Sequence, residues 1–217
     1  MTIMEMAMGY GKMEYSGVSL ACWNKLYKLE VIRREGLYHD ISFQRGQDVP
    51  YNFNYFHHVR KVALIGDCDY IYYIYDNNKS NSSVYIPDVL QKELEILSVR
   101  EMFYHHIGWT EQRIGEFRKH ELANIVHYVF KNHLQYANHL SIREAAAKMK
   151  EDVFDQPEMV EAILRRDTGK DWLMQLEKFL VRLGNPMFAT VTYKFLLFVK
   201  NCIGNNYERL KPVLRGE

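Results

Sequence analysis

Leu122-Ala123-Asn124-Ile125-Val126-His127-Tyr128-Val129-Phe130 decides the fold class. Its apolar residues at 122, 125, 126, 129 and 130 recur at spacings of three and four, the period of one helix face. The same spacing extends in both directions. Upstream, Ile96, Val99, Phe103 and Ile107 make a stripe. Downstream, Ser141 with Glu144 spells a capping box that starts a helix, and Asp155-Gln156-Pro157-Glu158 opens the next. Trp172, Leu176, Phe179 and Leu183 line another, which Gly184 stops. Asn185-Pro186 opens a last helix with the stripe Phe188, Val191, Phe195 and Phe198. Burial of a large apolar side chain contributes about 1.5–3 kcal/mol, so these stripes can hold a helical bundle from Pro87 onward.

The composition changes near residue 85. Before it the chain is rich in Tyr, Gly and Asn. Trp23 to Arg34 reads as a short helix, with Leu26, Leu29 and Ile32 on one face and Gly36 as the stop. Asp48 to Arg60 reads as a second, with Val49, Phe53 and Phe56 on its stripe and Pro50 tolerated in the first turn. Lys61 to Ile65 and Tyr70 to Tyr75 read as the strands of a short β-hairpin, and Asp76 to Ser83 as a polar loop. The expected class is α+β, mostly α: a domain over residues 1–84, then a helical domain over residues 85–217.

The chain has 217 residues, 47% of them apolar and 25% charged, which excludes wholesale disorder. Lys plus Arg number 28 and Asp plus Glu 27, which argues against a nucleic-acid protein held by bulk charge. Cys22, Cys68 and Cys202 are far apart and form no CxxC, so neither a zinc ribbon nor a disulfide framework is expected. A reducing compartment follows. Met1 to Met8 lacks the basic start of an export signal, so the expected location is cytoplasmic. Pro186 to Val199 is the most apolar stretch, but Lys194 interrupts it and Lys200 closes it. It falls short of the roughly 18 uncharged residues of a spanning helix, which leaves only peripheral contact at the inner membrane face.

Several residues invite chemistry. Asp67-Cys68-Asp69 spells a DxD, which can bridge a divalent cation to a diphosphate, and which is also an ordinary turn. Gly9-Tyr10-Gly11 fails as a phosphate loop, because Glu14 stands at the third glycine position. Of nine histidines, His120 and His127 would share a helix face, while His133 and His139 do not continue it, and no HExxH occurs. No metal site is expected from them. Asp48 ends the polar turn Gln44-Arg45-Gly46-Gln47 where an aromatic helix begins. It reads either as a plain N-cap or as a general base that takes a proton from a hydroxyl nucleophile.

Taken together, these segments resemble a known family. Ser19 to Lys28, with Trp23-Asn24-Lys25-Leu26-Tyr27, resembles the "WNKLY" segment of family 2 glycosyltransferases of the GT-A type, bacterial enzymes of capsular and other surface-polysaccharide synthesis. Gly36-Leu37 followed by Phe43 resembles the approach to their Gly-Glu-Asp motif, here Gly46-Gln47-Asp48, and Asn52, Tyr55 and Phe56 continue the matching helix. Lys61 to Ile65, Tyr72-Tyr73-Ile74-Tyr75 and Ser80-Asn81-Ser82 resemble the next strand, the "YYY" segment and the serine loop. The match spans about residues 16 to 84, and the helical remainder carries no motif of the family.

The resemblance implies an inverting transferase. Asp48 would deprotonate the acceptor hydroxyl, which attacks C1 of a nucleotide-diphosphate sugar. Trp23, Asn24, Lys25, Gln47, Tyr73 and Tyr75 would bind the acceptor. Gln47 departs from the motif, since it replaces a glutamate and brings no charge. The nucleotide-binding half of the family domain, with its metal-holding DxD, has no counterpart here, and Asp67-Cys68-Asp69 follows the base rather than preceding it. The chain therefore reads as the remnant of the acceptor half of a GT-A domain, inactive alone. It carries no cofactor of its own, although the family uses Mn or Mg with its nucleotide-sugar. Its expected partners are a saccharide acceptor, a nucleotide-sugar only with the missing half, and a second copy of the chain. The competing reading is a non-catalytic helical interaction or oligomerisation module. In that reading Phe188, Val191, Phe195 and Phe198 are its contact face; otherwise they are bundle core.

Overall fold

A computed structural model describes residues 20–63 except 44, residues 84–135 and residues 140–203, with the isolated positions 2, 3, 5 and 71. The described residues are mostly helical, and no strand occurs among them. Of the expected hairpin, Lys61 joins Thr2 in one antiparallel bridge, and most of the rest lies outside the described residues. The chain divides into two compact units, residues 1–82 with 91–115, and residues 83–90 with 116–217.

In the first unit, α1 spans Leu29–Glu35 and α2 spans Asp48–Phe56. Helix α3 spans Val89–His106 and belongs to this unit from residue 91. The sequence reading started α1 six residues too early. Residues 21–28 instead run as turn and extended chain, because their polar groups bond to α2. Val31 is the buried residue of α1, while Leu26 and Leu29 are exposed. Gly36 does stop the helix, in the left-handed conformation with φ 60°. Of the expected stripe of α2, Phe53 and Phe56 are buried and Val49 is half-buried, and the helix ends at Phe56 rather than at Arg60. Phe53 meets Phe103 of α3 edge-on at 5.2 Å and Phe56 at 5.7 Å. The turn before α2 rests on α3 as well, through Arg45 and Glu93 at 2.6 Å.

The second unit contains most of α4 (Glu111–Phe130), α5 (Ile142–Met149), α6 (Pro157–Arg165), α7 (Trp172–Arg182) and α8 (Pro186–Ile203). The stripe Leu122, Ile125, Val126, Val129 and Phe130 is buried throughout. The Ser141–Glu144 capping box forms, and Pro157 opens α6. Helices α4 and α5 each run on into a π turn, Lys131–Gln135 and Lys150–Phe154. Helix α8 packs against α5 and α7.

The last two stripes depart from the bundle-core reading: Trp172 and Leu176 are half-buried, and the rest stand exposed. Helix α7 buries Glu177, Leu180 and Val181 and leaves Phe179 and Leu183 exposed. Helix α8 buries Ala189, Thr190 and Tyr193, while Phe188, Val191, Phe195 and Phe198 stand exposed. Helix α8 is apolar nearly all round, so periodicity alone cannot choose its inner face. The side bearing Ala189, Thr190 and Tyr193 turns inward, and α5 buries Ala145 and Ala146; small residues let two helices approach closely.

Candidate functional site

The segment 20–28 lies along α2, and three pairs tie them together. The Cys22 amide donates to Asp48 Oδ2 at 3.0 Å. The Tyr27 hydroxyl donates to Asn52 Oδ1 at 2.6 Å. The Lys28 amide donates to the Tyr55 hydroxyl at 2.9 Å. Asp48, Asn52 and Tyr55 are four and three residues apart, so they share one face of α2. Asn52 is fully buried and also donates to the Leu20 carbonyl at 2.8 Å. The Tyr27 ring packs edge-on against Tyr51 and Tyr55, with centroids at 5.5 and 5.0 Å.

Gly46 explains the start of α2. Its φ is 74°, which disfavours any L side chain, and an added Cβ would lie 2.9 Å from Ile96 Cδ1. The chain can therefore turn sharply and close to α3 before the helix begins. Gln47 takes the N-cap position, and its side chain caps nothing. Asp48 is the first helical residue rather than the N-cap. Its carboxylate is half-buried and reaches sideways to Cys22.

The other expected site residues divide. Lys25 is half-buried. Its ammonium donates to the Ala21 carbonyl and, at 2.8 Å, to Asn24 Oδ1. Burial lowers its pKa to about 8, against the opposing pull of Cys22 and Asp48. Asn24 thus serves the loop itself, and Trp23 is half-exposed. Tyr73, Tyr75 and the Asp67-Cys68-Asp69 sequence lie outside the described residues. Burial, with Asp48 adding to it, pushes the Cys22 thiol up, and burial above all pushes the Tyr27 hydroxyl up.

Cys22, His39 and Tyr27 went unread as site residues. Cys22 Sγ, a ring nitrogen of His39 and a carboxylate oxygen of Asp48 all lie within 4.8 Å of one another. His39 stacks on Tyr51 with centroids 4.2 Å apart and planes 11° apart. Only the pairing of segments far apart in sequence creates this group, so spacing gave no signal for it. Mn and Mg ions prefer oxygen ligands and need several. A thiol, an imidazole and one carboxylate do not fit the ion that the family resemblance implies.

The second unit holds two buried polar pairs. His127 Nδ1 meets both carboxylate oxygens of Glu177, at 2.9 and 2.8 Å, and the Tyr193 hydroxyl donates to Glu177 at 3.2 Å. His133 Nε2 meets Asp152 Oδ2 at 2.6 Å, one residue from each π turn. Beside it, Asn132 accepts from the Ile86 amide at 2.9 Å and donates to the Ile86 carbonyl at 2.7 Å. His120, by contrast, is exposed, so it does not share the surroundings of His127. No helix among the described residues is long and apolar enough to cross a membrane.

No family model matches the chain, and no match to it was found among curated proteins or solved structures.

Proposed function

We propose that this chain is the acceptor-side portion of an inverting glycosyltransferase of surface-polysaccharide synthesis, with Asp48 as its base. The observation that carries the reading is Asp48 itself: half-buried and oriented through Oδ2 by the Cys22 amide. The two segments with the strongest family resemblance, around Trp23 and around Gly46-Gln47-Asp48, also adjoin one another. In the reaction, the acceptor hydroxyl gives its proton to Asp48 and its oxygen bonds to sugar C1. The bond from C1 to the diphosphate breaks, and the diphosphate leaves with the electron pair. Lys25, Asn24 and Trp23 border the acceptor, and the nucleotide half is supplied by residues this chain does not contribute.

Thermal unfolding of the purified chain tests this reading against two panels, saccharide acceptors and nucleotide-diphosphate sugars with Mn²⁺. A ligand at about 100 times its Kd adds about 2.7 kcal/mol, a visible shift. Saccharides are expected to raise the midpoint, and donors are not. A donor shift that needs the metal would contradict an acceptor-only chain. Absence of any saccharide shift would remove the acceptor site.

The exposed face of α7 and α8 favours a second reading, an oligomerisation module. Phe179, Leu183, Phe188, Val191, Phe195 and Phe198 are all exposed. Aromatic side chains are enriched where proteins meet. The occupant we favour is a second copy, because an apolar face repeated across a two-fold axis matches itself. Sedimentation at micromolar concentration should give a dimer that Phe195→Asp dissociates. A wild-type monomer would end this reading.

A further inference from the structure

We propose that Cys22, His39 and Asp48 form a binding site for a thiophilic divalent cation of the zinc class. The three come from separate segments: the loop before α1, the loop after it, and the first residue of α2. Their ligand atoms lie within 4.8 Å of one another, whereas neighbouring ligands of a tetrahedral zinc ion sit about 3.3–3.8 Å apart. Binding would close that gap by side-chain rotation. His39 can supply it, because it is exposed and, among the described residues, makes a ring stack and no hydrogen bond.

The donor set selects the ion. Sulfur and imidazole exclude Mg and Ca and suit zinc. Three protein ligands leave a fourth position for water, as in open zinc sites. The surroundings are those a metal site uses to orient its ligands. The Cys22 amide holds Asp48 through Oδ2 and Tyr51 backs the His39 ring, while the Cys22 thiol, which donates to Asn52 Oδ1 at 3.7 Å, gives up that bond when the ion binds. As the ion binds, the Cys22 thiol releases its proton to solvent and a sulfur–metal bond forms. The ion and an acceptor hydroxyl would compete for the Asp48 carboxylate, so one molecule cannot serve both at once.

The test is a Co²⁺ titration of the purified full chain, read by absorption. Thiolate bound to Co²⁺ gives a near-ultraviolet charge-transfer band, and Zn²⁺ should erase it. The band should vanish in Cys22→Ser, and His39→Ala should weaken binding at least tenfold. Cys68→Ser and Cys202→Ser should leave it unchanged. His39 is exposed, so its variant should fold, and circular dichroism checks this for both site variants. Absence of a band in the wild type at millimolar Co²⁺ would overturn the proposal. So would a band that survives Cys22→Ser, or one indifferent to His39→Ala, which would be a single reactive thiol. None of these readouts involves sugar transfer, so they stand or fall apart from the role of Asp48 as a base.

Discussion

The Cys22 amide nitrogen and Asp48 Oδ2 are 26 residues apart in sequence and 3.0 Å apart in space. This bond fastens the loop 20–28 to the first turn of α2. A hydrogen bond to a charged group is worth about 1.5–3 kcal/mol, less where water reaches it. Asp48→Ala should therefore cost about 1–2 kcal/mol in urea unfolding. Asp48→Asn keeps an acceptor oxygen and should cost less than about 1 kcal/mol. Equal losses for the two would mean that the amide bond does not anchor the loop.

Asn52 should matter more for stability than Asp48. It is fully buried and serves Leu20, Tyr27 and Cys22 at once. Asn52→Ala leaves the Leu20 carbonyl and the Tyr27 hydroxyl without that partner, a loss of about 2–3 kcal/mol. Proteolysis near residues 20–28 should rise in parallel. A loss below about 1 kcal/mol would show that the loop is held by other contacts.

Gly46→Ala meets both a left-handed backbone and the Ile96 side chain. The backbone strain is roughly 1–2 kcal/mol, while Ile96 can rotate aside at smaller cost. A total near 2 kcal/mol is expected from chemical unfolding. Gly36→Ala has the same strain with open space around it, so it should cost less than Gly46→Ala.

Glu177 gives the second unit a pH signature. Burial raises its carboxyl above the ordinary 4.5, opposed by His127 and Tyr193 and helped by Asp171. The folded chain then holds this proton more tightly than the unfolded chain. Its contribution to stability is complete below pH 4.5 and declines as pH rises through the raised value. Glu177→Gln has no such proton. Wild type should lose stability relative to this variant as pH rises from 4.5 toward neutrality, followed by urea midpoints at each pH. A difference that stays flat with pH would refute the assignment.

Thr190 is fully buried in α8, and its hydroxyl finds no hydrogen-bond partner among the described residues. Thr190→Val exchanges that hydroxyl for a methyl group of similar size. A gain of about 1 kcal/mol is expected by calorimetry. A loss would mean that the hydroxyl is satisfied in solution.

Much of the helical architecture was legible because it is local. Ser141 and Glu144 are three residues apart and cap one another. Gly36 and Pro157 mark a helix end and a helix start through their own backbone preferences. The stripe Leu122 to Phe130 faces inward, as its spacing says. What failed was tertiary. Leu26 and Leu29 fit a helical stripe, yet Tyr27 and Lys28 find better partners on α2. Helix α8 offered more than one apolar side, and the side bearing Ala189, Thr190 and Tyr193 took the interior. At the candidate site, Asp48 was visible as a carboxylate at a helix start. Its partners Cys22 and His39 were not, because no local rule joins residues 22, 39 and 48.

The chain passes between its two units three times, after residues 82, 90 and 115. The last two passages fall inside α3 and α4. Phe103 supplies a wall of the first core, and the Asn132 clamp on Ile86 fixes a wall of the second. No single cut of the gene can release both units whole. A break before residue 83 deprives the first of residues 91–115, and a break after 115 deprives the second of residues 83–90. The two units are therefore inherited together: a recombination event that swapped one for a foreign domain would damage the other, even if their activities were unrelated.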